Sequence, residues 1–273
     1  MRLWASSTSS GLRRWPQQCL WFRFGATHIL KQCTTAFFLA VSLLTRIPVP
    51  KLTQLSDSDF GRSTLFYPLV GLIIGVILCL PIWLFPHADS LVLAAMVTVL
   101  WAAITGGLHL DGVADGADAW LGGFGDVEKT HRILKDPLVG AAGAIALVAV
   151  LLLKFAALTL LIKHQLSWLI VFAPALGRNF VLLLFLTTDY VRASGLASTV
   201  VKTLPEKPVF WLVLGVIGIA GLFSWQGLVL ALISFWLLRR LMLQRLGGCT
   251  GDTAGACVEF GEAAWLIGIL LSL

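Results

Sequence analysis

Three carboxylates, Asp111, Asp115 and Asp118, fall within the short stretch His109-Leu-Asp-Gly-Val-Ala-Asp-Gly-Ala-Asp118. Positions i, i+4 and i+7 project from one face of a helix. Like charges on one face repel, and the simplest compensation is a hard divalent cation with oxygen ligands. Such an ion, of which Mg2+ is the expected one, neutralises the oxygens of a phosphate during group transfer. Gly106, Gly107, Gly112 and Gly116 surround the acids and let a backbone or a phosphate approach closely. The competing reading is a solvated acidic loop. His109 is a candidate base or orienting group, with a satisfied histidine at a membrane boundary as the alternative.

A second constellation runs from Gly247 to Glu262, where a glycine-rich turn leads into an apolar helix. Asp252 is either a fourth metal ligand or a helix-capping carboxylate. Glu259, seven residues on, is a candidate ligand or a buried acid bonded to another helix. Gly248, Thr250 and Gly251 are candidate substrate contacts, as is Gly107 in the first tract. In Lys135-Asp-Pro137 the proline marks a helix start, with Asp136 as its cap or as a group that orients substrate beside Lys135. Arg178 lies within an apolar run and needs a partner, either an aspartate of the cluster or a substrate phosphate. Arg46 ends an apolar segment in the same way. Lys154 is a mid-span cation that pairs with Glu259 or Glu262, or snorkels. Arg192, Lys202, Lys207, Arg239, Arg240 and Arg245 are read as determinants of membrane orientation and lipid headgroup contacts.

The elements that must position these groups are membrane helices. Of the 273 residues, 58% are hydrophobic and 12% charged, and the mean hydropathy is +0.89. Soluble domains carry about 25% charged residues. The fold class is therefore all-α, a polytopic helical membrane protein. Expected spans cover 62–86, 90–109, 138–162, 166–188, 209–224, 226–243 and 253–273. The run 29–45 has basic flanks at both ends and stops at Arg46-Ile-Pro-Val-Pro50. It is read as an interfacial or re-entrant helix, or a tilted span.

Basic residues concentrate in 46–62, 110–137, 189–208 and 239–252, which places those connections and the acid clusters in the cytoplasm. The net charge of +6 comes with no basic stripe interleaved with aromatics, so no nucleic acid is expected. Five scattered cysteines form no CxxC pair and are read as free thiols. Residues 1–27 are free of acids and rich in Trp, and read as a transit peptide, an extended start or a disordered tail. Residues 28–273 are read as one integral-membrane catalytic domain in contact with lipid, its oligomeric state left open.

Several longer motifs occur in order: Leu44-Thr-Arg-Ile-Pro-Val-Pro50, Phe66-Tyr-Pro-Leu-Val-Gly-Leu-Ile-Ile-Gly75, Gly106-Gly-Leu-His-Leu-Asp-Gly-Val-Ala-Asp115, Lys135-Asp-Pro-Leu-Val-Gly140 and Leu246-Gly-Gly-Cys-Thr-Gly-Asp-Thr-Ala-Gly-Ala256. On these the chain resembles the cobalamin synthase family, membrane adenosylcobinamide-GDP ribazoletransferases. The resemblance implies a magnesium-dependent enzyme of the bacterial inner membrane. It would join adenosylcobinamide-GDP to α-ribazole or its 5′-phosphate and release GMP. It further implies Asp111, Asp115, Asp118 and Asp252 as metal ligands. In the mechanism expected from these residues, Asp118 or His109 accepts the proton of the ribazole hydroxyl, and Arg178 and Lys135 offset phosphate charge.

The chemistry is similar to that of CDP-alcohol phosphotransferases. Here, however, three residues rather than two separate Asp111 from Asp115, and Ala256 stands where that pattern has an acid. Glu259 is a candidate for the missing carboxylate. The rival readings are a phospholipid-forming CDP-alcohol transferase and a cation-coupled transporter, whose acids would lie near mid-membrane.

Overall fold

The computed structural model describes residues 17–193 and 195–271, with side chains from residue 30 onward. Twelve α-helices follow in order: α1 Gln17–Leu44, α2 Asp57–Ser63, α3 Tyr67–Leu84, α4 Ser90–Thr105, α5 Leu108–Gly123, α6 Val127–Ile133, α7 Ala141–Lys163, α8 Phe172–Thr187, α9 Leu196–Lys202, α10 Glu206–Phe223, α11 Trp225–Leu246 and α12 Gly251–Leu270. Short 3-10 turns lead into α3 and α8. Among the described residues the only strand-like pairing is one parallel bridge between Tyr190 and Cys249. The polytopic helical class expected from composition is the observed one.

Among the described residues, six helical segments are long and apolar enough to cross a membrane, and α4 with α5 forms a bent pair that would make a seventh. The span expected over 90–109 stops at Thr105, because Gly106 and Gly107 both adopt left-handed backbone, with φ of +63° and +70°. Side chains other than glycine rarely take up two such conformations in succession. The chain turns by 89°, so α5 does not continue the crossing. It runs from the start of α12, where Gly112 abuts the Asp252 backbone, to the start of α7, where Asp118 reaches Gly140 and Gly143. It thus lies across the ends of the helices at which α7 and α12 begin.

Two further boundaries differ from expectation. Asp136-Pro137 does not open a helix. Asp136 accepts a hydrogen bond from the Leu138 amide at 3.1 Å in a local turn, and α7 begins at Ala141. Over 29–45, α1 starts earlier, at Gln17, and ends at Leu44 before the proline pair. The expectation of a disordered tail falls partly on residues 1–16, outside the described residues, while 17–27 belong to α1.

Two helices form the centre. In α12, 83% of the span is buried, and in α8 with its preceding turn 72%, against 17% in α10 and 22% in α11. The outer helices expose Trp211, Leu222, Trp225 and Trp236, as expected of side chains facing lipid. Small residues let the central pair meet its neighbours. A side chain at Gly71 or Gly75 would strike the α8 segment, and one at Gly268 would strike Gly227 of α11. Cys79, Cys249 and Cys257 are buried free thiols and Cys33 is an exposed one.

Candidate active site

The four segments expected on one side of the membrane make contact with one another. Arg192, in the segment between α8 and α9, reaches the Leu134 carbonyl at 3.1 Å and Asp252 at 2.6 Å. Thr203 donates to the Asp57 carbonyl. Arg46 lies over Gly106, and its amide donates to the Ile104 carbonyl. Acidic α5 lies at the centre of this surface.

On α5, Asp111 is exposed and Asp115 and Asp118 are half-buried. The apolar residues Val113 and Ala114 face inward, so the helix is acidic outward and apolar beneath. Asp111 and Asp115 accept no hydrogen bond among the described residues. Burial raises the Asp115 carboxyl to about 6, and the negative charges of Asp111, Asp252 and Asp118 add to that rise against the opposing pull of Arg192. The charges of three other carboxylates, two from α5 and one from α12, thus act on Asp115.

Asp118 differs from its two neighbours on α5. Its Oδ2 accepts from the Gly140 amide at 2.7 Å and its Oδ1 from the Gly143 amide at 2.9 Å. Gly140 is the N-cap of α7 and has no side-chain oxygen of its own. Asp118 supplies the missing acceptor from a neighbouring helix and sets a negative charge at the positive end of α7.

Asp252 is not the cap of α12. Thr250 caps that helix in a reciprocal pair with Thr253, is fully buried, and has its hydroxyl committed to that task. Asp252 sits in the first turn, and its partner is Arg192. Sequence reasoning gave Arg192 a part in membrane orientation and lipid headgroup contact, not in the site. Nothing in the local pattern marks a pair separated by 60 positions. Gly248 is a packing glycine, since a side chain there would strike the Asp189 carbonyl. Gly251 lies beside the Tyr190 hydroxyl, and Gly107 has open space around it. Lys135 and Asp136 are exposed on the loop before α7.

Glu259, Arg178 and His109 are drawn elsewhere. Lys154 donates to Glu259 at 2.6 Å and to Glu262 at 2.5 Å, and lies 4.2 Å from the Trp101 ring centroid. Arg178 pairs with the other oxygen of Glu262 and donates to His109 Nδ1 at 3.4 Å. The partner of Arg178 is therefore neither an aspartate of the cluster nor a surface open to substrate, because Arg178 and Glu262 are fully buried. His109 is only 5% exposed. Glu259 meets Lys154 in this interior network rather than joining the aspartates. Arg239, read as an orientation determinant, donates to Thr188 Oγ1 and the Thr187 carbonyl at the end of α8.

Among the described residues, no three His, Cys, Asp or Glu side chains converge as a ready-made metal site. The donor chemistry nevertheless fits a hard cation: the groups are all carboxylates, they repel one another, and Asp111 and Asp115 have no competing hydrogen bond. Asp252 is held by Arg192 and Asp118 by the α7 amides.

The family model described as cobalamin-5-phosphate synthase matches residues 36–270. A protein of Acinetobacter baumannii named adenosylcobinamide-GDP ribazoletransferase is 45% identical over 242 residues, covering 87% of this chain and 98% of the relative. Proteins of the same name from Pseudomonas entomophila and Pseudomonas fluorescens are 46% and 47% identical, each over 86% of this chain and 98% of the relative. No solved structure matches the chain significantly.

Proposed function

The chain belongs to the cobalamin-5-phosphate synthase family, and from that premise we propose that the acidic face of α5 with Asp252 is where it joins adenosylcobinamide-GDP to a ribazole. The observation that supports this siting is the gathering of Asp111, Asp118 and Asp252 close enough around the half-buried Asp115 for their charges to act on its carboxyl. Four carboxylates repelling one another in a chain with few charges call for a cationic partner.

Asp111 and Asp115 would hold a magnesium ion, with Asp252 able to join them. When bound, such an ion neutralises pyrophosphate oxygens and stabilises the charge that develops on the departing GMP. The protein's own contribution is placement. The Gly106-Gly107 bend turns α5 broadside to the cytoplasm, Asp118 fixes it against α7, and the Arg178–His109 contact fixes its first turn against α8 and α12. Asp118 and His109 are both engaged in these contacts, so the ribazole hydroxyl gives its proton to the exposed part of the acidic face. Arg192, beside Asp252, and the exposed Lys135 on the loop before α7 would meet phosphate charge, in place of the buried Arg178. The protein would sit in the cell membrane with this face in the cytoplasm, because the connections that surround it hold the basic residues.

The test is transfer by purified full-length protein given adenosylcobinamide-GDP, α-ribazole and Mg2+. Wild type should release GMP and form the joined corrinoid. Asp111→Asn should lower that rate by about a hundredfold or more while its thermal unfolding stays close to wild type. Turnover near the wild-type rate in Asp111→Asn would refute the siting.

A further inference from the structure

Beside the acidic face lies a second polar feature, with chemistry of the opposite sign. A cavity of about 300 Å³ is lined by Asp189, Tyr190, Val191, Arg192, Ser198 and Lys202 among others, between the segment following α8 and the helix α9. Its floor is rigid. Asp189 and Val191 are tied to Cys249 by backbone hydrogen bonds of 2.8 and 3.0 Å, and Gly248 has no side chain that would hold the two strands of this bridge apart.

Arg192 stands at the boundary between this cavity and the aspartates. Its Nη2 serves both Asp252 and the Leu134 carbonyl. Its Nε is buried and has no partner. A buried guanidinium N–H without an acceptor is costly to leave in that state, and its orientation is fixed by the bonds at Nη2. Lys202, at the end of α9, forms no ion pair among the described residues. Two cations therefore line the cavity against one carboxylate, that of Asp189, and one of them has an unused donor.

We propose that this cavity is a binding subsite for the phosphate group of a soluble substrate or product, held by Arg192 and Lys202. The proposal further makes Arg192 exchange Asp252 for that phosphate. The proposal rests on the assigned reaction only for the source of the phosphate. In the pair with Asp252 the Arg192 Nε is shut off from solvent and has no acceptor; once the side chain leaves Asp252 for the cavity a phosphate oxygen can supply one, and the guanidinium is suited to such a group in shape and charge. The phosphate and Asp252 compete for the same cation. Occupation of the cavity thus loosens the Arg192–Asp252 pair and leaves the Asp252 carboxylate available to the acidic face. By linkage, whatever draws Asp252 away strengthens anion binding in the cavity to the same degree.

The experiment is equilibrium binding of GMP to the purified full chain in detergent, without divalent cation, with competition by inorganic phosphate, guanosine and α-ribazole 5′-phosphate. Inorganic phosphate and the two phosphate esters should compete and guanosine should not. The ester that competes at lower concentration identifies the source of the phosphate. Lys202→Gln and Arg192→Gln should weaken binding by about tenfold or more. Asp252→Asn, which releases Arg192, should strengthen it several-fold, a gain that misfolding cannot produce. Guanosine competing as well as GMP would overturn the proposal. So would unchanged binding in Lys202→Gln together with no gain in Asp252→Asn. Transfer activity that is abolished by Asp111→Asn while phosphate binding ignores Lys202 would remove the subsite and leave the reading of the aspartates intact.

Discussion

Asp115 sits where burial and three other carboxylates act on one side chain, and its carboxyl is raised to about 6 as a result. The sign of the consequence follows from which form binds what. Below that value the group is protonated and offers a cation no charge; above it the group is ionised and repels its neighbours unless a cation is present. At pH 5 about one such carboxyl in ten is ionised and at pH 7 about nine in ten. Affinity for Mn2+, used as a reporter for Mg2+, should therefore rise about tenfold between pH 5 and 7. Without the ion the direction reverses: a carboxyl raised in the fold stabilises it below its unfolded value, and that contribution is lost as pH rises through 6. Asp115→Asn should flatten both trends. Mn2+ titrations and thermal unfolding at the two pH values check this, and a wild-type affinity unchanged across the range would contradict it.

The position of α5 depends on what its glycines allow. Gly112 faces the Asp252 backbone so closely that a methyl group there would overlap the carbonyl oxygen, and backbone cannot swing aside as a side chain can. Gly112→Ala should push α5 from α12, separating the carboxylates of the two helices. It should cost about 1–3 kcal/mol in stability and reduce transfer far more than that loss of fold explains. Gly116→Ala, where a methyl meets nothing, should leave both nearly unchanged, and equal effects of the two would refute the argument. At this scale the sequence was partly legible. The i, i+4, i+7 spacing put the three aspartates on one helix because helical period is a local property. The meaning of Gly106-Gly107 was not, since flexibility near a phosphate and a fixed 89° bend require the same residues. Asp136-Pro137 resembles a helix start, yet Gly140 starts α7, because Asp118 from another helix provides the cap. The Arg192–Asp252 pair is set by packing alone.

Across the whole molecule, a strip of buried charge ties the acidic face to the bundle centre. Lys154 of α7 and Arg178 of α8 balance Glu259 and Glu262 of α12, and Arg178 extends the chain of contacts to His109 on α5. Its cations and anions are equal in number, so the strip is neutral, and each member depends on the others because burial shuts all four off from the solvent that could replace a lost partner. Scarcity of charge in the sequence pointed to these residues, but scarcity does not separate a group that meets substrate from one that holds helices together. Energetics should separate them. Lys154→Met leaves Glu259 buried without its cation and should cost about 3–5 kcal/mol. Lys154→Met combined with Glu259→Gln removes both charges and should recover most of that loss, since Glu262 keeps Arg178. Activity should follow stability in these variants, unlike Asp111→Asn, where activity falls alone. Thermal unfolding of the single and double variants in detergent decides the matter. A double variant no more stable than Lys154→Met would mean that Glu259 meets its charge in some other way, and the strip would lose its place as the brace beneath α5.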